Sequence, residues 1–334
     1  MAEKLDIFVC EFITGGGLYN APLTSALADE GDMMLHALLR DLLEIPDISL
    51  TVSRDVRLPA VSLPVETVAV DQDPWALWQD CIAQADLVWL IAPESEGVLE
   101  RLTRMVPPEK QIGCDAASVN IASSKLVTAT LLSQHAIPIV PTWRASEPPL
   151  MAASWIAKPD DGAGCLETRY FDDLDTMRQW LAAGRQHSHV IQPWQPGVPA
   201  SLSMLCYQSQ AWLLSANRQH VTRADNGELS YQGTQLNGMA QHWQAFAALA
   251  QQVAQAMPGL SGYVGVDLMV QGETLTVLEI NPRLTTSYVG LRQATGLNPA
   301  GLVLDLLYNR RKVDLSEMER NVVDIWVPLE NSSF

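Results

Sequence analysis

The sequence predicts an α/β domain followed by an α+β region, and three features point there. Strand and helix signals alternate through the first third of the chain, the rhythm of a parallel sheet covered by helices. From about residue 115 onward the strands come in clusters divided by turn residues, with helices between the clusters. The 334 residues are 48% hydrophobic, with a mean hydropathy of +0.05, enough for two or three domains around substantial cores.

LDIFVCEF (residues 5–12) is an apolar run of strand length. Between Thr24 and Glu44, helical spacing is carried by Leu27, Met34, Leu35, Leu38, Leu39 and Leu42. ISLTVS and ETVAV read as strands, and PWALWQDCIAQA as a helix with Pro74 near its first turn. ADLVWLIAP is a buried strand, ESEGVLERLTRMV a helix and KQIGCD a short strand, so the α/β part ends near Cys114. Two helices fill Ala116 to His135, and IPIVPTW is extended. MAASWIAKPDDGAGCLETRYF reads as a hairpin around a glycine-rich turn, followed by a helix over 172–183 and the strand HVIQPW. LSMLCYQ, QAWLLSANRQHV and ELSYQG are strands between Pro196 and Leu236. AQHWQAFAALAQQVAQAM is a helix stopped by Pro258 and Gly259. GYVGVDLMV and TLTVLEINP pair across a Gln271–Gly272 turn. Helices follow at about 287–294 and 299–310, and IWVPL returns as an edge strand.

The net charge of −17 argues against nucleic-acid and anionic-membrane partners, which require a basic face. It leaves room for a phosphorylated small molecule, for which a few local cations and backbone N–H groups suffice. The start, MAEKLDIFVCEF, has no long apolar stretch after its lysine and does not read as a signal peptide. No segment approaches the roughly 20 apolar residues of a membrane span. Five scattered cysteines without CxxC spacing suit reduced thiols in the cytosol, as small buried apolar residues rather than metal ligands.

Chemistry concentrates in VLEINPRLTTS (277–287). Residues two apart on a strand face one side about 7 Å from each other, so Glu279 and Asn281 project together while Leu278 and Ile280 face the opposite layer. The partner strand offers Asp267. Two carboxylates and an amide oxygen form a hard, oxygen-only set of the kind Mg²⁺ takes with substrate phosphates. A bland reading, polar residues closing a hairpin, fits any one of them better than all three. Arg283 suits a carboxylate or phosphoryl oxygen, or a salt bridge to Glu279. Thr285, Thr286 and Ser287 are placed to cap the next helix. Lys158 leads into the turn Gly162-Ala163-Gly164, whose N–H groups can close over phosphates, although such turns mostly just connect strands. Lys125 opens a helix, against the macrodipole; a bound anion explains that placement, and an exposed helix lysine is the plain alternative. CEFITGGGLY lies at the carboxyl end of the first strand, where ligands approach open α/β sheets. Its glycines fit either anion binding or a flexible loop.

Taken in order, Lys125, Lys158 with its GAG turn, VIQPW, Asp267 and EINPR resemble the ATP-grasp superfamily over roughly residues 115 to 310. The resemblance implies a pre-ATP-grasp α/β domain over 1–114, a small lobe with linker helices over 115–194, and a large lobe over 195–334 carrying the metal site, with ATP between the lobes. It also implies that Lys125 and Lys158 contact ATP phosphates with Gly162, Ala163 and Gly164, and that Gln192, Pro193 and Trp194 meet adenine. Asp267, Glu279 and Asn281 would hold Mg²⁺ (or Mn²⁺), two ions in all, and Arg283 would steady the transferring group together with Lys158. Many members carry an acidic ribose contact two positions before a serine; here Pro199 stands there and only Ser201 remains.

The E-F-x-x-GGG start, the helix LADEGDMMLHALLRDL and IAPESEG further resemble a small ATP-grasp group that includes the tyramine–glutamate ligases of methanofuran synthesis and bacterial relatives in one-carbon metabolism. This implies a cytoplasmic, ADP-forming enzyme joining a small-molecule carboxylate, such as glutamate's, to an amine such as tyramine or tyrosine through an acyl phosphate. Glu11, Thr14, Gly15, Gly16, Gly17, Glu94 to Glu96 and Ser287 would face the acceptor pocket. A kinase or a non-catalytic ATP-binding regulator shares the same fold. Homo-oligomerisation is left open.

Overall fold

The computed structural model describes residues 4–149, 154–162 and 164–328. Ala163, one of the expected phosphate contacts, lies outside the described residues.

The first sheet is parallel throughout. Its strands are β1 (Leu5–Glu11), β2 (Ile48–Asp55), β3 (Glu66–Val70), β4 (Leu87–Ile91) and β5 (Gln111–Ile112), in the order β3-β2-β1-β4-β5. Helices α1 (Ser25–Leu43), α2 (Trp75–Gln84) and α3 (Val98–Met105) supply the crossovers. The strand order reverses between β1 and β4, so the loops after these two strands open onto the crevice where such sheets take ligands. The expected helix over ESEGVLERLTRMV begins late: Glu96 and Gly97 adopt left-handed backbone angles, and Ser95–Gly97 is a tight turn ahead of α3.

Two short helices follow, α4 (Ala116–Ser123) and α5 (Lys125–Gln134), each started by a side-chain cap. Asp115 accepts from the Ser118 N–H and Ser124 from the Val127 N–H. A four-stranded antiparallel sheet in the order β6-β9-β7-β8 is built from β6 (Trp143–Arg144), β7 (Trp155–Pro159), β8 (Arg169–Phe171) and β9 (His189–Pro193). Helix α6 (Leu174–Ala182) covers it, capped by Asp173.

The third sheet has six strands in the order β14-β13-β10-β11-β12-β15. They are β10 (Val198–Tyr207), β11 (Gln210–Arg223), β12 (Leu229–Leu236), β13 (Gly262–Gln271), β14 (Thr274–Asn281) and β15 (Val323–Trp326). Helix α7 (Trp243–Ala256) packs on one face, while α8 (Tyr288–Thr295) and α9 (Pro299–Leu307) precede the returning edge strand β15. Helix α9 thus ends short of the expected residue 310. The β13–β14 turn also falls one residue later than expected. Gln271 pairs with Thr274, leaving Gly272 and Glu273 as the turn, with Gly272 at φ +58°.

Packing divides the molecule unevenly. Two large apolar cores each contain residues from both the first and the six-stranded sheet: Phe8, Leu90 and Val266 in one, Val9, Leu205 and Tyr263 in the other. The four-stranded sheet keeps a small core of its own, around Trp155, Phe171 and Met177. A sheet with its own small core is the unit that can shift as a body over the rest.

Candidate active site

A cavity of about 210 Å³ lies between the four-stranded and six-stranded sheets. Ile156, Lys158, Gln192 and Pro193 line it from one sheet, and Ser201, Asp267, Glu279 and Asn281 from the other.

The acidic cluster follows from strand register. Asp267 pairs directly with Glu279 and Gly265 with Asn281, and Ser201 pairs with Asp267 on its other side. Opposed residues of an antiparallel pair hold their Cβ atoms about 5 Å apart, so the three side chains converge. Asp267 accepts from Gln219 Nε2 at 2.9 Å and from Asn281 Nδ2 at 3.4 Å. One sequence expectation is overturned here. A bulge lies beside this row, since Asp267 pairs with Glu279 but Leu268 with Val277. The extra residue, Leu278, is turned into the cavity wall beside Glu279 rather than into the opposite layer, which keeps Val277 and Ile280. Gly265 is needed for a different reason: a Cβ there would come within 2.7 Å of Thr285 Cγ2, so only glycine lets the 283–287 segment cross the strand so closely.

Both lysines meet Glu279. Lys125 Nζ stands 3.3 Å and Lys158 Nζ 3.6 Å from Glu279 Oε2. Lys125 is buried, not an exposed helix lysine, and it donates to the Gly162 carbonyl at 2.6 Å. Asp160 pins the start of its helix, accepting from the Leu126 N–H and the Ser124 hydroxyl. Burial raises the Asp267 carboxyl, and the adjacent Glu279 charge raises it further. Burial pushes Glu279 the same way, but the two ammonium groups outweigh it and hold Glu279 below the usual carboxylate range. Burial lowers the Lys158 ammonium.

Arg283 does not bridge to Glu279. Its Nη2 donates to Glu94 Oε2 at 2.8 Å and its Nη1 to the Leu284 carbonyl at 3.0 Å. Glu94 sits in the loop after β4, at the crevice of the parallel sheet, so this pair joins the first sheet to the segment that follows the β13–β14 hairpin. Glu94 Oε1 and Arg283 Nε are buried without hydrogen-bond partners among the described residues.

Other expected residues divide. Gly162, Gly164, Trp194 and Ser287 line the cavity. Gln192 lines it too, with its amide donating to Thr142 Oγ1. Ser201 is buried, with Asn217 Nδ2 3.4 Å from its hydroxyl, and Pro199 shares the cavity wall. The segment 285–287 does not cap α8 with its side chains. Thr285 bonds Tyr263, Thr286 bonds Glu30, and the Ser287 hydroxyl makes no cap bond. Glu11, Thr14, Gly15, Gly16 and Gly17 do not line the cavity. Glu11 is buried and accepts from the Ile13 and Thr14 N–H groups and the Thr14 hydroxyl, closing its own loop. The three glycines are required by packing. Cβ atoms there would fall 2.6 Å from Ser53 Oγ, 2.3 Å from Val70 Cγ1 and 2.4 Å from Phe12 Cε2, and Gly16 has φ +100°. Sequence reasoning passed over Gln219, Tyr231 and Glu30, each from a different element; no local motif flags them.

The two carboxylates, from adjacent strands, are chemically those of a hard divalent cation, and the Asn281 amide beside them, whose nitrogen here faces Asp267, carries the third oxygen. Two ammonium groups stand across from it, as phosphate binding requires. The residues fit Mg²⁺ with a nucleotide triphosphate. Among the described residues no helix is long and apolar enough to cross a membrane.

Comparison with known proteins agrees with this geometry. The family description "ATP-grasp domain" matches residues 122–287, and "pre ATP-grasp 3 domain" matches residues 48–119. A curated relative, the tyramine–L-glutamate ligase of Methanocaldococcus fervens, is 26% identical over 278 residues, 81% of this chain and 85% of that protein. Among solved structures, a putative ATP-grasp superfamily protein from Archaeoglobus fulgidus superimposes with a TM-score of 0.71 at 21% identity, covering 96% of this chain and 91% of that one. The biotin carboxylase–beta-gamma-ATP complex from Campylobacter jejuni gives 0.69 at 12% identity, covering 96% and 74%. The chain belongs to the ATP-grasp superfamily, with a pre-ATP-grasp domain ahead of its ATP-grasp domain.

Proposed function

We propose that the protein is an ATP-dependent carboxylate–amine ligase that forms an amide through an acyl phosphate and releases ADP. The observation that carries this reading is the convergence of Asp267, Glu279 and Asn281 on one cavity face, with Lys125 and Lys158 within 4 Å of Glu279. When bound, magnesium (two ions in this reading) supplies charge neutralisation at the phosphoryl oxygens.

The chain's own groups do the rest. Lys125 and Lys158 leave Glu279 to hold phosphate oxygens, and the Gly162–Gly164 turn closes over them. Gln192 to Trp194 border the base, with Ser201 on the ribose side. Arg283, held by Glu94, orients the carboxylate for phosphoryl transfer. The four-stranded sheet, carried on its own small core, closes to keep water from the activated acid. The name of the relative, a tyramine–L-glutamate ligase, supports glutamate as the carboxylate and tyramine as the amine. We extend this to glutamate's γ-carboxylate, to a similar amine such as tyrosine, and to one-carbon cofactor synthesis of the methanofuran kind.

The test is a matrix of amino acids against amines, read by ADP release and by mass of the condensed product. Amine-dependent ADP release with an amide product is the expected result. ADP release without any amine and a stable phosphorylated product would make the protein a kinase instead.

A further inference from the structure

Among the described residues, Glu30 is the one acidic side chain that lines the cavity besides Asp267 and Glu279. It stands in the second turn of α1, and no other residue of that helix reaches the cavity. The Thr286 hydroxyl donates to its Oε1 at 2.8 Å. Arg283, the guanidinium of the same cavity, gives its ion pair to Glu94 and not to Glu30. Glu30 is nevertheless close enough for its charge to act on two neighbours, helping hold Arg283 protonated and adding to the burial and the Asp267 charge that raise the Tyr231 phenol. Among the described residues this half-buried carboxylate has one hydroxyl donor and no ion pair, with Arg283 near but engaged by Glu94, and a cation could complete it.

The neighbours indicate which cation. Tyr231, Thr286 and Ser287 are neutral oxygen-bearing side chains in the same wall, next to Arg283. One carboxylate with neutral hydroxyls suits a primary ammonium, which offers three donors and needs a single compensating charge. A magnesium ion would be drawn instead to the carboxylate pair on β13 and β14. Resting on the ligase reading, we propose that Glu30, positioned by Thr286 and flanked by Tyr231, forms a subsite for the ammonium group of a substrate. Two substrate groups share that chemistry: the incoming amine, and the α-ammonium of an amino acid whose side-chain carboxylate is activated. The helix of the parallel-sheet domain thereby contributes to substrate choice, while the nucleotide rests on other elements.

The experiment compares wild type with Glu30→Gln, using Mg-ATP and two donors, L-glutamate and its des-amino counterpart glutarate. Each donor is paired with tyramine or with hydroxylamine, which is largely uncharged at neutral pH and traps an activated carboxylate as the hydroxamate. Mg-ATP affinity, measured by calorimetry, is expected to be unchanged and shows that the variant is folded. If the subsite takes the incoming amine, the tyramine KM rises about tenfold or more while hydroxamate formation is untouched. If it takes the donor's α-ammonium, the glutamate KM rises by a similar factor in the hydroxylamine assay, and the preference for glutamate over glutarate shrinks. Thr286→Val, which keeps the carboxylate but frees it, should raise the same KM by a smaller factor. Either pattern supports the subsite and identifies its occupant. An active wild type with unchanged KM values in Glu30→Gln, or a variant that loses Mg-ATP affinity in step with activity, overturns it. A wild type forming neither hydroxamate nor amide from any carboxylate fails the ligase reading itself, and the subsite falls with it.

Discussion

Lys125 holds Glu279: its ammonium nitrogen stands 3.3 Å from Oε2, and Lys158 reaches the same oxygen at 3.6 Å. The contact pairs the two buried ammonium groups with one carboxylate. In the proposed function, a cation would take over the neutralisation of Glu279, and phosphate that of the lysines. On that proposal, binding a metal–nucleotide pair would exchange one set of ion pairs for another and leave no buried charge alone.

Glu279→Ala breaks that exchange at its centre. It removes the counter-charge from two buried ammonium groups, which costs about 3 kcal/mol of folding stability and is measured by urea denaturation of the nucleotide-free protein. Amine-dependent ADP release should disappear while the far-UV circular dichroism spectrum stays native. Unimpaired turnover would remove Glu279 from the metal set.

Lys158→Ala should raise the ATP KM or lower kcat by at least about tenfold if Lys158 holds phosphate as proposed. Near wild-type steady-state kinetics would reject the assignment.

Glu94→Gln tests the pair that joins the two sheets. The Arg283 guanidinium keeps its charge but loses its carboxylate partner, so kcat should fall about tenfold or more with Mg-ATP affinity retained. An equal fall in nucleotide affinity would show that the pair supports the fold of the metal hairpin rather than the orientation of Arg283.

Acid should weaken the metal site before it unfolds the protein. The Asp267 carboxyl is raised by burial and by Glu279, so it takes up a proton while ordinary carboxylates are still charged. Magnesium-dependent nucleotide affinity should therefore fall as pH drops from neutral toward the ordinary carboxylate range, by up to about tenfold per pH unit. The stability signs are opposite for the two carboxylates. Asp267, raised in the fold, contributes stability below its unfolded value that is lost as pH rises through its folded one. Glu279, lowered, contributes stability above its unfolded value that is lost as pH falls. Affinity titrations across this range with stability measured in parallel separate the two effects.

Much of this site was legible because its signals are local. The period-two spacing of Glu279 and Asn281, and a short turn facing them with Asp267, suffice to bring three polar side chains together on a twisted hairpin. Lys125 stood out by its place at a helix start. Other features depend on contacts that no local pattern carries. Glu30 and Thr286 are 256 positions apart, and Arg283 and Glu94 are 189 apart; both pairs exist because the first sheet packs against the six-stranded one. The bulge at Leu278 moved one apolar side chain to the other face, a shift invisible to a strict alternation rule. The GGG loop shows a further limit: close packing against Ser53, Val70 and Phe12 requires glycine there whether or not an anion binds.

Calorimetric titration of the protein with ATP, with and without magnesium, tests the site most directly. Binding that requires magnesium in the wild type and is lost in both Asp267→Asn and Glu279→Gln is the expected result. Equal ATP affinity in the presence of a chelator, or wild-type affinity in the two variants, would contradict it.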